Sequence, residues 1–475
     1  MTPKCNFANC SCSIIRMTDM VQERPYVSCV FNEHLHSVCS NCFRQLVEVT
    51  PPCVRCKKVY YCGETCQKKD WNLHSIECKF LSSVRIPPSP IVRLIAQLLI
   101  KRKREGHSRS KAYNGRTFDD LMDHNDDIKN NTIWMEDFAE RYYELSRYVS
   151  RKYMISREET LSYYGKLKIN LFNIEGSNSA SVGNGLYIGI SVHDHSCKPD
   201  LFQYFSGSTL ILRSKSDNLT YNDKLLIPYV STLLTTPERR TILHFNYFFE
   251  CKCPRCEDKE EDGIARSISC SSCPDGICLV NDDSLVLQCR ECRAVSNISP
   301  DEAHALNRML TVHEGFKSDH MTNIDSMFLT TLFEEMSKKL SRKNTQLAHL
   351  AYRLSLLHTT TGDAVSAAKY ASICEEALIS KIPLGHDNLT SILKVLTQAS
   401  ALEDPRSANT KRLCEKLRQS VLASNGPEEM VTASGDIEAI NAYNILSQLE
   451  DIVSLQTMNI GRILIRSLTR TRRYM

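Results

Sequence analysis

Cysteine and histidine residues in one short stretch of the sequence have the spacing of structural zinc ligands. The pairs read C-x2-C, C-x2-C, C-x3-C and H-x3-C within residues 39–78. Structural zinc takes four thiolate or imidazole ligands at tetrahedral corners, and a two-residue gap lets one turn present two thiolates to one ion. The pattern predicts two zinc ions, which would supply most of the folding free energy of so short a segment. The ligands would be Cys39, Cys42, Cys53, Cys56, Cys62, Cys66, His74 and Cys78.

A second group of cysteines has the paired spacing of a zinc ribbon. Two C-x2-C pairs lie within residues 266–296, and they predict one structural zinc site. Cys278 is a spare thiol that could replace one of the four ligands. Cys5, Cys10 and Cys12 are spaced too irregularly to assign. The predicted ribbon ligands are Cys270, Cys273, Cys289 and Cys292.

The end of the first cluster, residues 62–78 (CGETCQKKDWNLHSIEC), resembles a MYND zinc finger. In that family the two zinc sites interleave along the chain, and the modules bind short proline-containing peptides. The resemblance therefore implies a peptide partner, and Trp71 either lines such a groove or packs the small module. It also implies one zinc site formed by Cys39, Cys42, Cys62 and Cys66, and another formed by Cys53, Cys56, His74 and Cys78.

Three separated motifs resemble the SET domain. Residues 185–200 (GLYIGISVHDHSCKPD) are similar to the SET segment N-H-S-C-x-P-N. Residues 223–229 (DKLLIPY) match the strand that ends in the SET active-site tyrosine, and residues 247–256 (YFFECKCPRC) match the post-SET C-x-C-x2-C. This order, with a MYND finger near the start, resembles the SET- and MYND-domain (SMYD) lysine methyltransferases from about residue 20 to residue 258.

The C-x-C-x2-C segment offers three thiolates, one fewer than a tetrahedral zinc site needs. In the SMYD family the fourth ligand is the cysteine of the H-S-C motif, which is Cys197 here. The resemblance thus implies that zinc holds the post-SET segment over the active site. The implied ligands are Cys197, Cys251, Cys253 and Cys256.

The resemblance implies methyl transfer from S-adenosylmethionine to a lysine of a histone or of another protein. Such a transfer is an in-line displacement that needs an aligned methyl group and preorganised acceptor oxygens. By analogy Tyr229 presents its phenol at the transfer point. Aromatic side chains, whose faces favour a cationic lysine, would line the substrate channel. The implied channel residues are Tyr247, Phe249 and Phe172, and the implied cofactor contacts are Asn170, Ser191, Asp194, His195, Tyr229 and Phe249.

Departures from the family pattern keep a second hypothesis open. Asp194 replaces the family asparagine, so it keeps an acceptor oxygen, loses the amide donor and adds a charge. The early G-x-G loop is absent from residues 1–20, so the loop is rebuilt around Asn6 and Asn9, the chain starts late, or cofactor binding is impaired. Pro228 removes a ladder donor from the last predicted strand. The alternative to an enzyme is a catalytically impaired SET/MYND adaptor that binds proline-containing peptide motifs.

The composition disfavours several other classes of protein. Lysine plus arginine number 59 against 55 acidic residues, so no global field favours nucleic acid or a membrane surface. The N-terminus has no apolar signal region, and no apolar run approaches the roughly 18 residues of a membrane span. The 22 cysteines are therefore expected as reduced thiols and zinc ligands in the nucleus and cytoplasm. Residues 101–111 (KRKREGHSRSK) are expected as a solvated loop, with a nuclear-import or nucleic-acid contact as the alternative.

The elements that would position these residues indicate an α+β fold. Apolar periodicity predicts helices at Ile91–Ile100 and across 133–170, where the aromatic stripe is expected in the core. The chain past 300 has mostly helical patterns, and 362–389 has the helix–turn–helix cadence of a tetratricopeptide unit. Period-two runs predict strands at Leu186–Val192, Leu201–Phe205, Thr209–Arg213 and Lys224–Tyr229.

The predicted domain order is a SET β-fold divided by the inserted MYND finger. Within the core SET segment, His193 has no role in the family pattern and is expected to pack. The predicted segments are 1–38 (N-terminal part of the SET domain), 39–78 (MYND zinc finger), 79–180 (helical SET insertion), 181–250 (core SET), 251–258 (post-SET zinc segment), 266–296 (zinc ribbon) and 300–475 (helical, tetratricopeptide-like).

Overall fold

The structure, a computed structural model, describes most of the chain. The described residues are 18–46, 50–106, 109–176, 181–214, 219–222, 224–283, 285–310, 323–378, 387–404 and 406–425. The unassigned Cys5, Cys10 and Cys12, and the loop expected around Asn6 and Asn9, lie outside these residues. Within them, helices mix with small antiparallel sheets and cysteine-rich segments, which confirms the α+β prediction at this level.

The described strands form two three-stranded sheets and one short ladder. They are β1 (Thr18–Glu23), β2 (Val27–Val30), β3 (Leu171–Glu175), β4 (Ser181–Leu186), β5 (Leu201–Ser206), β6 (Thr209–Ser214), β7 (Ile268–Ser269) and β8 (Ile277–Cys278). The sheet orders are β1-β6-β5 and β2-β4-β3, and β7 pairs with β8. All these pairs are antiparallel. β3 lies inside the segment predicted as a helical insertion.

Helices fill two blocks, one between the first strands and β3 and one at the C-terminal side. Among the helices described, none combines the length and apolarity that a membrane span requires. The helices are α1 (Glu64–Ser82), α2 (Pro90–Glu105), α3 (Asn125–Lys129), α4 (Thr132–Tyr148), α5 (Arg157–Asn170), α6 (Thr236–Tyr247), α7 (Pro254–Glu257), α8 (Lys259–Ala265), α9 (Pro300–Leu310), α10 (Asn323–Ser337), α11 (Thr345–Thr361), α12 (Ala364–Leu378), α13 (Asp387–Glu403) and α14 (Ala408–Asn425).

The predicted strands β5 and β6 are confirmed as a hairpin with a two-residue turn. Ser206 pairs with Thr209, and Gly207 takes a φ of +59° in the turn. A positive φ at this position is what tight hairpin turns require, and glycine adopts it without strain. A side chain at Gly207 would also collide with the backbone carbonyl of Cys42, so the hairpin tip lies directly against the cysteine-rich segment.

The predicted strand Leu186–Val192 is wrong beyond its first residue. β4 ends at Leu186, and Ile190–Val192 forms a 3-10 turn. The Glu23 carboxylate accepts hydrogen bonds from the backbone N–H groups of Gly189 (3.0 Å) and Ile190 (2.8 Å). Because these donors bond a side chain from β1, they are not available to a sheet ladder.

The predicted strand Lys224–Tyr229 is also wrong, since it is reduced to one isolated bridge. Ile227 pairs with His195 in parallel, and Pro228 has no N–H with which to extend the ladder. Shortly afterwards the chain enters α6, a helix that the strand-rich reading of this region missed. The missed start signal is the capping box of Thr235 with Glu238, which marks a helix N-terminus.

The predicted helix Ile91–Ile100 is confirmed, but it continues through Glu105 and takes in the start of the basic run. The solvated-loop prediction is therefore wrong for residues 101–105. The Lys101 ammonium lies 3.8 Å from the centre of the Tyr26 ring and donates to the Tyr26 carbonyl at 2.8 Å. This cation–π contact attaches the helix end to the chain just before β2.

Two large apolar cores organise these elements. One joins the cysteine-rich segment with α1, α2, α4, α5 and strands β2–β4, and it contains a buried ion pair between Arg93 and Glu77 (2.9 Å). The other joins α9–α14 with the second cysteine-rich segment. In it α11, α12, α13 and α14 pack in consecutive pairs, which confirms the helical prediction for the described residues past 300, whereas the tetratricopeptide assignment stays a prediction.

Candidate active site and zinc clusters

Four groups of Cys and His ligands each converge on one point. Within each group the ligand atoms all lie within 4.8 Å of one another. Zinc–sulfur bonds of about 2.3 Å at tetrahedral angles separate two ligand sulfurs by about 3.8 Å, so these groups fit zinc. The groups are Cys39, Cys42, Cys62 and Cys66; Cys53, Cys56, His74 and Cys78; Cys197, Cys251, Cys253 and Cys256; and Cys270, Cys273, Cys289 and Cys292.

The first two groups have the interleaved ligand sets expected within residues 39–78. Cys42 and Cys62 sulfurs are 3.8 Å apart in one group, and those of Cys53 and Cys78 are 3.9 Å apart in the other. α1 contributes to both groups, since Cys66 belongs to the first, and His74 and Cys78, one turn apart on the same helix face, belong to the second. Trp71 is 44% exposed with its ring 6.1 Å from that of His74, so it combines a packing contact with an accessible face.

The third group brings together residues far apart in the chain. The Cys197 sulfur lies 3.9 Å from that of Cys251 and 3.4 Å from that of Cys256. Cys197 is buried, and the start of α7 presents the last of the four ligands. The two segments that the resemblance joined are therefore adjacent in space.

Two arginines of α6, which the sequence reasoning missed, support this third group. The buried Arg239 donates to the Cys256 sulfur at 3.6 Å, and Arg240 donates to the carbonyls of Cys251 (3.3 Å) and Cys256 (3.1 Å). Hydrogen bonding from Cys197 and then from Arg239 lowers the pKa of Cys256 to about 5, which favours the thiolate that binds metal. The sequence signal that could have predicted this support is the pair of adjacent arginines in a capped helix just before the C-x-C-x2-C segment.

The fourth group is compact because Gly276 lies against its sulfurs. The Cys270 and Cys292 sulfurs are 3.6 Å apart, and those of Cys273 and Cys289 are 3.7 Å apart. A side chain at Gly276 would collide with two of these sulfurs. Cys278 is fully buried and lies outside the group, so the four ligands are those of the two C-x2-C pairs.

Beside the third group lies a cavity of about 330 Å³, within the usual size range of small-molecule sites. It is bounded by the end of α5, β3, the 3-10 turn, residues 228–232 and the end of α6. Five of the predicted site residues line it, with polar and aromatic groups on the same wall. They are Asn170, Phe172, Ser191, Tyr229 and Tyr247.

Tyr229 is fixed in this cavity at both its backbone and its hydroxyl. Its hydroxyl donates to the His193 carbonyl at 2.6 Å, and its backbone N–H donates to His195 Nδ1 at 2.9 Å. Burial, followed by the negative charge of Asp194, raises the pKa of Tyr229 well above its usual range. The phenol therefore stays protonated at neutral pH, so it keeps its donor and offers its remaining oxygen lone pairs to the cavity.

Aromatic rings form the wall next to Tyr229. The ring centres of Tyr229 and Tyr247 are 4.9 Å apart, and burial raises the pKa of Tyr247. Phe172 packs edge-on against Tyr187 with ring centres 5.6 Å apart. Such faces can accommodate the cationic and methyl-bearing end of a lysine.

Three other predicted site residues do not line this cavity. Asp194 is exposed, whereas His195 and Phe249 lie behind Tyr229 with ring centres 5.9 Å apart. His195 Nδ1 accepts from Tyr229, so its other nitrogen carries the proton and faces the Cys197 sulfur at 3.2 Å. Burial and the Arg239 charge lower the pKa of His195 to about 4, which keeps this imidazole neutral.

Asn170 has an orientation set by the fold. Its amide nitrogen donates to the carbonyls of Lys166 (2.8 Å) and Met122 (2.9 Å). Both amide protons are thereby used, so the side chain offers an acceptor oxygen to a ligand rather than a donor. An acceptor oxygen suits the cationic ammonium and sulfonium groups of S-adenosylmethionine, so the hydrogen-bonding capacity of Asn170 fits that cofactor.

Glu175 is a cavity residue to which the sequence reasoning gave no role. It lies at the end of β3 and lines the same cavity as Tyr229. Burial raises the pKa of its carboxyl to about 7. A buried ionisable group in a cleft is a signal of function, but burial is not visible in the sequence.

Comparisons with known proteins agree with the ligand geometry. The sequence model of the MYND finger family matches residues 39–78. The N-lysine methyltransferase SMYD2 of Mus musculus is 28% identical over 250 residues, covering 51% of this chain and 56% of that protein. The histone-lysine N-methyltransferase ASHR1 of Arabidopsis thaliana is 27% identical over 266 residues, covering 53% of this chain and 54% of that protein.

A third relative bears a name that refers to the other predicted domain. SET domain-containing protein 14 of Caenorhabditis elegans is 26% identical over 263 residues, covering 54% of this chain and 59% of that protein. The chain thus spans little more than half the length of these curated relatives. The resemblance drawn from the three motifs and the finger is confirmed by these matches.

Proposed function

This chain is a relative of the SET- and MYND-domain (SMYD) lysine methyltransferases, and we propose that it is itself an S-adenosylmethionine-dependent protein-lysine N-methyltransferase. The observation that carries the proposal is the cavity that the half-buried Tyr229 lines together with the neighbouring Tyr247 ring, Asn170 and Ser191. Those groups match the needs of methyl transfer to an amine, which are acceptor oxygens and an aromatic passage.

S-adenosylmethionine, when bound, supplies an electrophilic methyl group on a sulfonium. The residues proposed to hold it surround Tyr229 and offer mainly oxygen acceptors. Asn170 contributes an acceptor because both of its amide protons are engaged by backbone carbonyls. Asn170, Ser191 and Tyr229 line the cavity and form the proposed set, whereas Asp194, His195 and Phe249 do not line it, so their cofactor contacts stay predictions.

Tyr229 is proposed to orient the reacting groups rather than to move a proton. Its hydroxyl proton is directed at the His193 carbonyl, so its lone pairs face the cavity. Acceptor oxygens aimed at a developing positive charge stabilise a transition state without reorganising. The raised pKa of Tyr229 supports this role, since a neutral phenol keeps the same hydrogen-bond pattern throughout turnover.

The substrate lysine is proposed to enter along the aromatic wall of Phe172 and Tyr247, whereas Phe249 lies behind Tyr229 and its predicted place in the channel stays a prediction. The Glu175 carboxyl lines the same cavity and would attract a lysine ammonium when ionised. Rings around the amine exclude water, which strengthens these electrostatic contacts. Histones and other proteins are both proposed as sources of the lysine.

The remaining parts are proposed to support binding and assembly. Zinc on Cys197, Cys251, Cys253 and Cys256 would fix the segment that carries Tyr247 and Phe249. The MYND finger would bind proline-containing peptide motifs, with the exposed face of Trp71 as one contact. Action in the nucleus and cytoplasm is part of the same proposal.

Calorimetric titration of the zinc-loaded protein with S-adenosylmethionine tests the proposal. We expect binding in the micromolar range that Asn170→Ala weakens at least tenfold, followed by transfer to peptide lysines detected by mass spectrometry. Asn307→Ala is the matched control, because Asn307 makes the same pair of bonds in α9, to Ala303 (2.9 Å) and Arg266 (3.0 Å) carbonyls. No binding by the folded, zinc-replete protein would replace the enzyme with the peptide-binding adaptor.

A further inference from the structure

The segment that ends in Tyr229 is attached to the neighbouring segment by few backbone bonds. The Ile227 N–H donates to the Asp194 carbonyl at 3.0 Å, and the Ser196 N–H donates to the Ile227 carbonyl at 3.1 Å. The Leu226 carbonyl accepts two more backbone bonds, from Asp200 (3.0 Å) and Leu201 (3.1 Å). The Tyr229 N–H, in contrast, bonds a side chain, that of His195. Pro228 ends this short ladder because it has no N–H. The position of the Tyr229 phenol against the His193 carbonyl therefore depends strongly on side-chain bonds between the two segments.

The His193 side chain makes such a bond from a fully buried position. It is 0% exposed, its Nδ1 lies 2.8 Å from the Leu225 carbonyl, and its Nε2 lies 2.9 Å from the Tyr221 hydroxyl. A carbonyl only accepts, so Nδ1 carries the proton, and in the neutral imidazole Nε2 accepts the Tyr221 proton. The ring centres of His193 and Tyr221 are 5.5 Å apart at 73°, which adds an edge contact.

We propose that His193 is a positioning residue of the methyl-transfer site. Its imidazole joins its own segment to the Leu225 end of the Tyr229 segment, and its carbonyl receives the Tyr229 hydroxyl. The isolated β-bridge between His195 and Ile227 thus has a histidine bond on each side. His193 bonds Leu225 before Ile227, and the His195 ring accepts the Tyr229 backbone N–H after it. The inference rests on the proposed function, and it gives His193 a role beyond packing.

Substitutions that separate packing from hydrogen bonding test this role. His193→Leu fills the space without a donor, whereas His193→Asn keeps a donor near the Nδ1 position. We expect His193→Leu to lower kcat about 10- to 100-fold with KM for S-adenosylmethionine unchanged, since a misplaced acceptor impairs alignment rather than binding. His193→Asn should recover most of the loss, and Tyr221→Phe should give a smaller decrease.

A control variant separates this effect from a loss of stability. Leu396→Ala removes a buried side chain of α13, away from the cavity, so it should lower the melting temperature with kcat unchanged. Equal decreases for His193→Leu and His193→Asn would show packing alone and overturn the proposal. An unchanged kcat in His193→Leu would overturn it as well.

A spectroscopic readout keeps the inference testable if the wild-type chain transfers no methyl group. The Tyr229 Cζ resonance of protein labelled with ¹³C-tyrosine is identified by its loss in Tyr229→Phe. We expect this resonance to move in His193→Leu and to return in His193→Asn, because the hydroxyl hydrogen bond changes. Such a result without turnover would refute the proposed function and support the positioning role, whereas an unmoved resonance would overturn the positioning role.

Discussion

The MYND finger and the Cys197 group use the same ligand chemistry but are assembled over different distances along the chain. The ligands of the finger all fall within residues 39–78, whereas 54 residues separate Cys197 from Cys251. Short loops between ligands close at low entropic cost, so metal binding can fold the finger locally. The Cys197 group instead requires that two distant segments have already come together.

This difference connects the two groups to different parts of the molecule. Cys197 faces His195, whose ring also bonds the Tyr229 backbone, so the third zinc group is one side chain away from the proposed catalytic phenol. The finger instead contacts the helical core through the buried ion pair of Glu77 with Arg93, next to the ligand Cys78. Loss of zinc from the third group should therefore affect methyl transfer, whereas loss of zinc from the finger should affect mainly the fold of the finger.

The largest expected effect is the loss of transfer in Cys256→Ser. We expect this variant to lose the zinc of the third group and all measurable activity, because the segment that carries Tyr247 and Phe249 is released. Cys62→Ser should lose zinc from the finger while keeping most transfer to a short peptide. Elemental analysis of zinc and an activity assay check both variants. Equal losses of activity would contradict the expectation that only the third group is needed for transfer to a short peptide.

Tyr229→Phe tests the contribution of a single hydroxyl group beside the third zinc group. We expect kcat to fall by about 10²–10³-fold, the usual cost of removing one preorganised polar group, with an unchanged melting temperature. Tyr148→Phe is the control, because Tyr148 is a buried tyrosine whose hydroxyl also makes a hydrogen bond, to Glu77 at 3.4 Å on the finger side. A similar kcat for Tyr229→Phe and wild type would remove Tyr229 from its proposed role.

Two buried arginines should give distinct losses in the two regions. Arg239→Ala removes a donor to the Cys256 sulfur, and we expect about 10- to 100-fold weaker zinc binding in competition with a chelator. Arg93→Ala leaves the Glu77 carboxylate buried without its partner, and it should cost about 3–5 kcal/mol of stability in denaturant unfolding while finger zinc stays bound. A chelator profile for Arg239→Ala that matches wild type would contradict the supporting role of Arg239.

The smallest expected effect is a change in the pH dependence of stability through Glu175. Burial raises the pKa of Glu175 from 4.5 to about 7, so the folded state binds a proton that the unfolded state has released between these values. Stability should therefore fall as pH rises from about 4.5 through about 7, and Glu175→Gln should remove this decrease. Melting temperatures of wild type and Glu175→Gln across that range check the assignment, and curves of the same slope for both proteins would contradict it.

The two wrongly predicted strands have different physical causes, one distant in the chain and one local. Leu186–Val192 has strand-like residues, but Glu23, far earlier in the chain, takes the backbone donors that a strand would use. Lys224–Tyr229 forms only a bridge because Pro228, a local signal, has no N–H with which to extend the ladder. The hairpin β5–β6 was predictable, since its alternation and its glycine turn are local.

The sequence by itself determined the metal chemistry of this protein and its family resemblance. Thiolate and imidazole ligands at short, regular spacings leave few other structures, and the first, second and fourth groups form from residues near one another in the chain. The order of the three SET-like motifs around the finger was equally visible as a resemblance, and the chain is similar to proteins named as lysine methyltransferases.

Only the tertiary structure decided which groups surround Tyr229. The Tyr229 hydroxyl bonds the His193 carbonyl, and Glu175 from β3 lines the same cavity. Beside this cavity, Arg239 of α6 contacts Cys256 of α7. Each arrangement depends on residues from different elements. Burial and hydrogen bonding of this kind depend on packing between distant segments, and a pattern of neighbouring residue types contains no information about which segment will supply the partner.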